Sequence, residues 1–320
     1  MAGVYNISRQ NIESFGKLMF YYAVMDILIS NNFTYSGIKY LNPLLEMPIG
    51  SKRADFAIVD AELNLRLLLE FKERSTPTEA LEQVIEYSYL TQPAYYGVFN
   101  ISVLYKENAP MPYQVNIYIF DDEFDSKCLK YINPLAYTSH RRIYFNSLNE
   151  LNEEVNKIFN LISIKTKNKI DNNIYIHSIN NEAFYQYELA RLLIENKIDV
   201  AIEYEYRLYA LYNFVMPAKI DLVLKLWNYL IPIEVKRYGK VSKNQQEQLK
   251  RYMKVLKSHF GIVANGNDDY LILTIINNEG KQLESFSLPF TLSEDVKYLN
   301  KSKEFDNFVK TIKWHVVYDE

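Results

Sequence analysis

The sequence predicts an α/β protein of two domains, each a central mixed β-sheet flanked by helices. Three observations carry that expectation. The chain has 320 residues, too many for one small core and close to two domains of about 150 residues each. The same succession of helical and strand-like periodicities occurs twice. Each succession also contains an apolar strand that ends in a glutamate and a lysine two positions apart, Glu70 with Lys72 and Glu234 with Lys236.

The first helix of each half is read from apolar residues at helical spacing. In residues 11–30 these are Phe15, Met19, Tyr22, Val24 and Leu28; in residues 181–195 they are Phe184, Tyr187, Leu189, Leu192 and Leu193. Strand-like segments follow, at 44–47, 54–59 and 65–71 in the first half and at 200–208, 220–226 and 230–235 in the second. A helix then opens with a capping box in each half: Thr76-Pro-Thr-Glu79, with proline at the first helical position, and Ser242-Lys-Asn-Gln245. A further strand is expected at 95–104 and at 260–264, the latter closing at a turn on Asn265-Gly266. Amphipathic helices at 146–159 and 300–312 close the two halves. The polar run 165–173 reads as a linker, giving domains at 1–164 and 174–320. Late alternation of strands and helices suits a mixed sheet.

Composition removes several function classes. The net charge of −3 argues against bulk coating of nucleic acid, though not against one local basic groove. A single cysteine, Cys128, excludes a disulfide framework and cysteine-built metal sites. The four histidines, His140, His177, His259 and His315, lack ligand spacing. No basic n-region precedes an apolar segment, and no apolar run is long enough to span a membrane, so an intracellular, cytoplasmic protein is expected. No phosphate-binding G-x-x-x-x-G-K-[ST] loop occurs. The 28 tyrosines are spread along the whole chain, which favours packing over base stacking as their use.

The paired charges carry the chemistry. Residues two apart on a strand share a face, so Glu70 lies with Lys72 and Glu234 with Lys236. An aspartate precedes each pair, Asp55 by 15 positions and Asp221 by 13. That interval holds a strand, a turn and most of a second strand, so the two carboxylates of each half can converge on one cation. Two carboxylates with open positions suit Mg²⁺ or Mn²⁺, which lowers the pKa of bound water and stabilises charge on a phosphate. The lysine would orient or deprotonate the attacking water, or stabilise that charge. On the next helix Gln83 and Tyr87 stand at i and i+4, and Gln248 and Tyr252 repeat the spacing.

In these residues the chain resembles the PD-(D/E)xK nuclease superfamily, with the Q-x-x-x-Y motif of its RecB-like and restriction-endonuclease-like branches. The motifs stand as Asp55…Glu70-Phe-Lys72…Gln83-x-x-x-Tyr87 and Asp221…Glu234-Val-Lys236…Gln248-x-x-x-Tyr252. The resemblance covers roughly 46–97 and 203–266. It implies two restriction-endonuclease-like domains, each a metal-dependent nuclease fold with Asp55, Glu70, Asp221 and Glu234 as metal ligands. It also implies an upstream glutamate, Glu46 in the first half and Glu203 in the second, with Glu205 an equal contender. Glu188 resembles the helical glutamate of some members; the first half has Met19 there.

The halves differ in charge. Lys236, Arg237, Lys240, Lys243, Lys250, Arg251, Lys254 and Lys257 stand against one acid, Glu247. This is either a phosphate-binding footprint or a solvated helix face. The matching stretch of the first half is acidic, with Glu73, Glu79, Glu82 and Glu86, although Lys52-Arg53 beside Asp55 offers a phosphate contact. The function expected is a Mg²⁺-dependent deoxyribonuclease. The alternative is a non-catalytic nucleic-acid-binding or assembly protein, and the motifs do not separate DNA from RNA.

Overall fold

A computed structural model describes residues 11–73, 77–103, 113–121, 141–144, 148–209, 215–237, 241–293 and 296–318. The Thr76 cap, Cys128, His140 and Lys240 lie outside these residues. The chain divides into two compact units, one built mainly on Ile12–Ile179 and the other on Asn180–Leu292 with Lys297–Glu320. Each is a mixed sheet flanked by helices.

The first unit contains α1 (Ile12–Ser30), β1 (Asn42–Ile49), β2 (Lys52–Val59), β3 (Leu65–Glu73), α2 (Pro77–Thr91), β4 (Tyr95–Val103), β5 (Tyr113–Asp121), β6 (Arg141–Tyr144), α3 (Leu148–Ile162) and α4 (Asn172–Ser178). Its six strands lie in the order β1-β2-β3-β4-β5-β6. Only β3 and β4 are parallel, because α2 carries the chain back between them. The second unit contains α5 (Glu182–Glu195), β7 (Asp199–Tyr209), β8 (Val215–Leu226), β9 (Tyr229–Arg237), α6 (Lys243–Leu256), β10 (Phe260–Gly266), β11 (Tyr270–Asn277), β12 (Gln282–Ser293), β13 (Val296–Leu299) and α7 (Lys303–Tyr318). Its seven strands also run in sequence order, and the parallel pair β9 with β10 again brackets a helix, α6.

Each sheet buries both faces. On one face of the first, Phe20 of α1 meets Phe56, Phe71 and Phe99 at ring-centroid distances of 5.2–5.7 Å, mostly edge to face. On the other, Val84 and Tyr87 of α2 pack with Ala57, Leu68 and Val98. In the second unit Leu249, Tyr252 and Met253 of α6 cover Ala201, Val223 and Val263. The Ser242 capping box is complete: its hydroxyl accepts from Gln245 N, and the Gln245 side chain accepts from Ser242 N.

Several sequence expectations are corrected. Strand β10 does not turn at Asn265; it continues through Gly266, and Asn265 pairs in register with Lys236. The run 165–173 docks on the first unit, where Leu65 N donates to Asn168 O and Ile170 N to Leu63 O. Helix α4 extends that attachment, its Tyr175 hydroxyl accepting from Asn42. Strands β5, β6, β11, β12 and β13 had no counterpart in the sequence reading.

Strand β4 requires glycine at one position. A Cβ on Gly97 would stand 2.0 Å from the carbonyl oxygen of Tyr118 on β5. Gly97→Ala is therefore expected to destabilise the first unit by about 2–3 kcal/mol, read as a lower urea midpoint. An unchanged midpoint would show that β4 and β5 separate at little cost.

Candidate active site

The two units build their acidic clusters by the same backbone device. In the first, Asp55 on β2 accepts from Phe71 N on β3 at 2.8 Å through Oδ2. In the second, Asp221 on β8 accepts from Val235 N on β9 at 2.7 Å, also through Oδ2. The donor is in each case the residue between the glutamate and the lysine. The aspartate is thus fixed beside the E-x-K strand end by the strand's own amide.

A second repeated feature lies on the edge strands. Glu46 and Glu203 both adopt left-handed backbone conformations, φ 50° and 47°. The register places Glu46 between Leu45, opposite Phe56, and Met47, opposite Ala54, so it faces Asp55. By the same reasoning Glu203 faces Asp221. A non-glycine residue in this region costs about 1–3 kcal/mol, and the cost recurs at the same place in both sheets. This distinguishes Glu203 from Glu205, which the sequence left equal. A third repeat is a buried asparagine on the parallel strand: Asn100 pairs in register with Lys72, and Asn265 with Lys236.

In the first unit Glu70 is buried beside Asp55, with its Oε1 accepting from Asp55 N at 3.4 Å and Lys72 Nζ 3.5 Å from Oε2. Burial and the neighbouring Asp55 push the Glu70 carboxyl up to about 9. Burial opposes ionisation of Asp55 too, but the charge and hydrogen bond of Lys17 and the Phe71 amide carry its pKa below the ordinary value. Lys17, on α1, is 2.8 Å from Glu46 and 2.6 Å from Asp55. Glu13, one turn earlier, is raised by burial, with Lys72 and Asp55 among its charged neighbours.

In the second unit Glu234 is fully buried and neither carboxylate oxygen has a well-aligned donor. Its ion-pair partner is Lys236, 2.8 Å from Oε1. Lys236 also lies 3.4 Å from Glu182 of α5 and 3.9 Å from Asp221. Burial and Glu234 push the Asp221 carboxyl up to about 7. Burial would lower Lys236, but Asp221, Glu234 and Glu182 together raise it. With no metal bound, Lys236 is therefore held as an ammonium able to donate a hydrogen bond. Glu203 is paired with Lys219 at 2.6 Å. At the α5 position matching Lys17 stands Gln186, which donates to the Asp221 carbonyl.

The Gln83 and Gln248 amides each donate to the hydroxyl of the tyrosine four residues on, Tyr87 and Tyr252. Both tyrosines are buried. At 100° per residue, Lys243, Lys250, Arg251, Lys254 and Lys257 fall on one face of α6 and its C-cap; Lys243, Arg251, Lys254 and Lys257 are exposed. Lys250 is paired with Glu247. Arg237, at the end of β9, is half-buried. In the first unit Lys52 is tied to Glu86 at 2.7 Å.

Glu188 is not brought to the cluster. It is fully buried, forms a two-point ion pair with Arg191 at 2.9 Å, and accepts from Leu299 N at 2.6 Å. Arg191 in turn reaches Glu195 and the Leu299 carbonyl. Sequence reasoning missed Glu13, Lys17, Glu182 and Gln186. The signal was available: Glu13 and Glu182 each stand two residues before the phenylalanine that aligns the two helices, and Lys17 and Gln186 two after it.

Residues 169–273 match the family model of the PD-(D/E)XK nuclease superfamily. That stretch contains Glu203, Asp221, Glu234, Lys236, Gln248 and Tyr252. No curated protein matches the chain. Among the described residues no three His, Cys, Asp or Glu side chains form a cation cage, and no helix is long and apolar enough to cross a membrane. An acidic pair completed by water is nonetheless the ligand set Mg²⁺ commonly takes. Glu234, buried with poorly satisfied oxygens beside Asp221, fits it.

The raised Asp221 has a stability consequence. Its contribution is full below the unfolded carboxylate pKa near 4 and is lost as pH rises through about 7. Asp221→Asn should stabilise the metal-free protein by about 1–2 kcal/mol near pH 8, the side chain being partly exposed, and flatten the decline between about pH 4 and 7. Thermal melts across that range check it; equal melting temperatures near pH 8 would remove the repulsion.

Proposed function

We propose that the chain is a metal-dependent nuclease that hydrolyses phosphodiester bonds in DNA, and that the second unit carries the reaction. The observation behind this reading is the Asp221–Glu234–Lys236 cluster, with Glu234 buried and positive charge in short supply, on the strands that α6 packs against with its basic face outward. The family match supports the nuclease class. We also take the repeated plan of the two units as a duplication of one nuclease-like domain.

Asp221 and Glu234 would hold Mg²⁺ or Mn²⁺, with Glu203 adjoining. When bound, the ion supplies Lewis-acid stabilisation of phosphate charge and a more acidic water. Lys236 would orient the attacking water and stabilise negative charge growing on the scissile phosphate. Glu182 holds the ammonium from the far side. The Gln248 amide, anchored by Tyr252, lies on the helix flank between the buried face and the basic face, where it can orient water or phosphate. Lys243, Arg251, Lys254 and Lys257 bind the flanking backbone, with half-buried Arg237 adding charge at the end of β9.

A cleavage assay with Mg²⁺ or Mn²⁺ on duplex, supercoiled, single-stranded and branched DNA and on RNA tests this. Lys236→Ala should lower cleavage about 10²-fold or more, and EDTA should stop it. Lys72→Ala should leave the rate within a few-fold. Equal loss in the two variants would give the first unit a catalytic share. Cleavage of RNA alone would change the substrate. Absent cleavage by the wild type, with binding intact, would favour the non-catalytic reading.

Nucleic-acid binding should also weaken with salt in proportion to the phosphates contacted. Replacing Lys243, Arg251 or Lys254 by alanine should each reduce the log–log salt slope by about 1. An unchanged slope would make this face of α6 an ordinary solvated surface.

A further inference from the structure

The first unit has the acids of a metal site, but one of its own side chains stands among them. Lys17 enters from the second turn of α1, and its side chain is only 8% exposed. Its ammonium lies 2.8 Å from Glu46 Oε1 and 2.6 Å from Asp55 Oδ1. The other Asp55 oxygen accepts from Phe71 N. Both oxygens of Asp55 are therefore engaged. A hard divalent cation would need such an oxygen at about 2.1 Å, which puts it against the ammonium. Two like charges that close, in a buried setting, repel strongly.

The second unit provides the contrast. The matching α5 position is Gln186, an uncharged amide that donates to the Asp221 main-chain carbonyl and leaves the carboxylate alone. Glu203 turns to Lys219 on the neighbouring strand, which is half-exposed and not inserted from the helix.

We propose that Lys17 is the resident cation of the first unit. Its ammonium takes the place of a divalent ion between Glu46 and Asp55, so this unit binds no Mg²⁺ or Mn²⁺. The residues do not fit a metal as they stand, and no reaction step belongs to them. Of the two described clusters, the second is then the one left open to a divalent ion. The assignment of Lys17 rests on the first unit's geometry and not on the reading of the second.

Mn²⁺ titration of the full chain, by calorimetry and by the spin resonance of free Mn²⁺, tests it. Lys17→Gln should gain one equivalent of Mn²⁺, and adding Asp55→Asn should remove that gain. Adding Asp221→Asn should not. Mn²⁺ should raise the melting temperature of Lys17→Gln/Asp221→Asn but not that of Asp221→Asn. The proposal is overturned if Asp55→Asn alone costs the wild-type chain an equivalent of Mn²⁺, a comparison that needs no Lys17 variant. It is also overturned if folded Lys17→Gln gains none. A wild-type Mn²⁺ count unaffected by Asp221→Asn would instead defeat the second-unit reading and leave Lys17 to be judged by its own variants.

Discussion

Two carboxylates held out of water on neighbouring strands need positive charge between them. In each unit the backbone enforces the problem, since the amide following the glutamate fixes the aspartate beside it. Desolvated acids resist ionising together. The first unit answers with a proton on Glu70, whose pKa rises to about 9, and with two lysines, Lys17 and Lys72. The second has Lys236 and a carboxyl at Asp221 that titrates near 7. Helices α1 and α5, with Glu13 and Glu182 in their first turns, and the left-handed glutamates of β1 and β7 are arranged around this one electrostatic requirement.

The two solutions lead to different surroundings. Where the cluster is already balanced, the adjoining helix α2 exposes Glu82 and Glu86, and Glu86 takes up Lys52. Where the cluster is short of cation, α6 exposes a row of basic residues. An anionic polymer would be repelled by the first helix and drawn to the second. The asymmetry at the acids and the asymmetry of the outer faces thus point the same way.

Much of this was legible in the sequence. Helix and strand periodicities located α1, α2, α5, α6 and β1 to β4, and the Glu-x-Lys ends of β3 and β9 marked the clusters. Strand β11 went unread although Tyr270–Asn277 is an apolar, β-branched run, whereas β12 gave a weak signal because polar residues alternate through Gln282–Ser293. Asn265-Gly266 looked like a turn because local preference favours one there; tertiary pairing with β9 holds it extended instead. Glu188 was grouped with the acids because sequence spacing does not reveal which way a helical residue points, and the fold pairs it with Arg191 and the Leu299 amide instead. It and Gln186 are two apart on α5, which turns them some 200° from each other. Lys17 was invisible for a related reason: a lysine on an apolar helix reads as a solvated edge until the strand beneath it is known to carry acids.

The buried Glu188–Arg191 pair joins α5 to a strand more than a hundred positions later, through the amide and carbonyl of Leu299. On a ribosome, α5 is made long before that strand emerges. Until it arrives, both charges lack part of their hydrogen bonding and resist burial. The helix bearing Glu182 and Gln186 thus completes its buried hydrogen bonding only when Leu299 is in place.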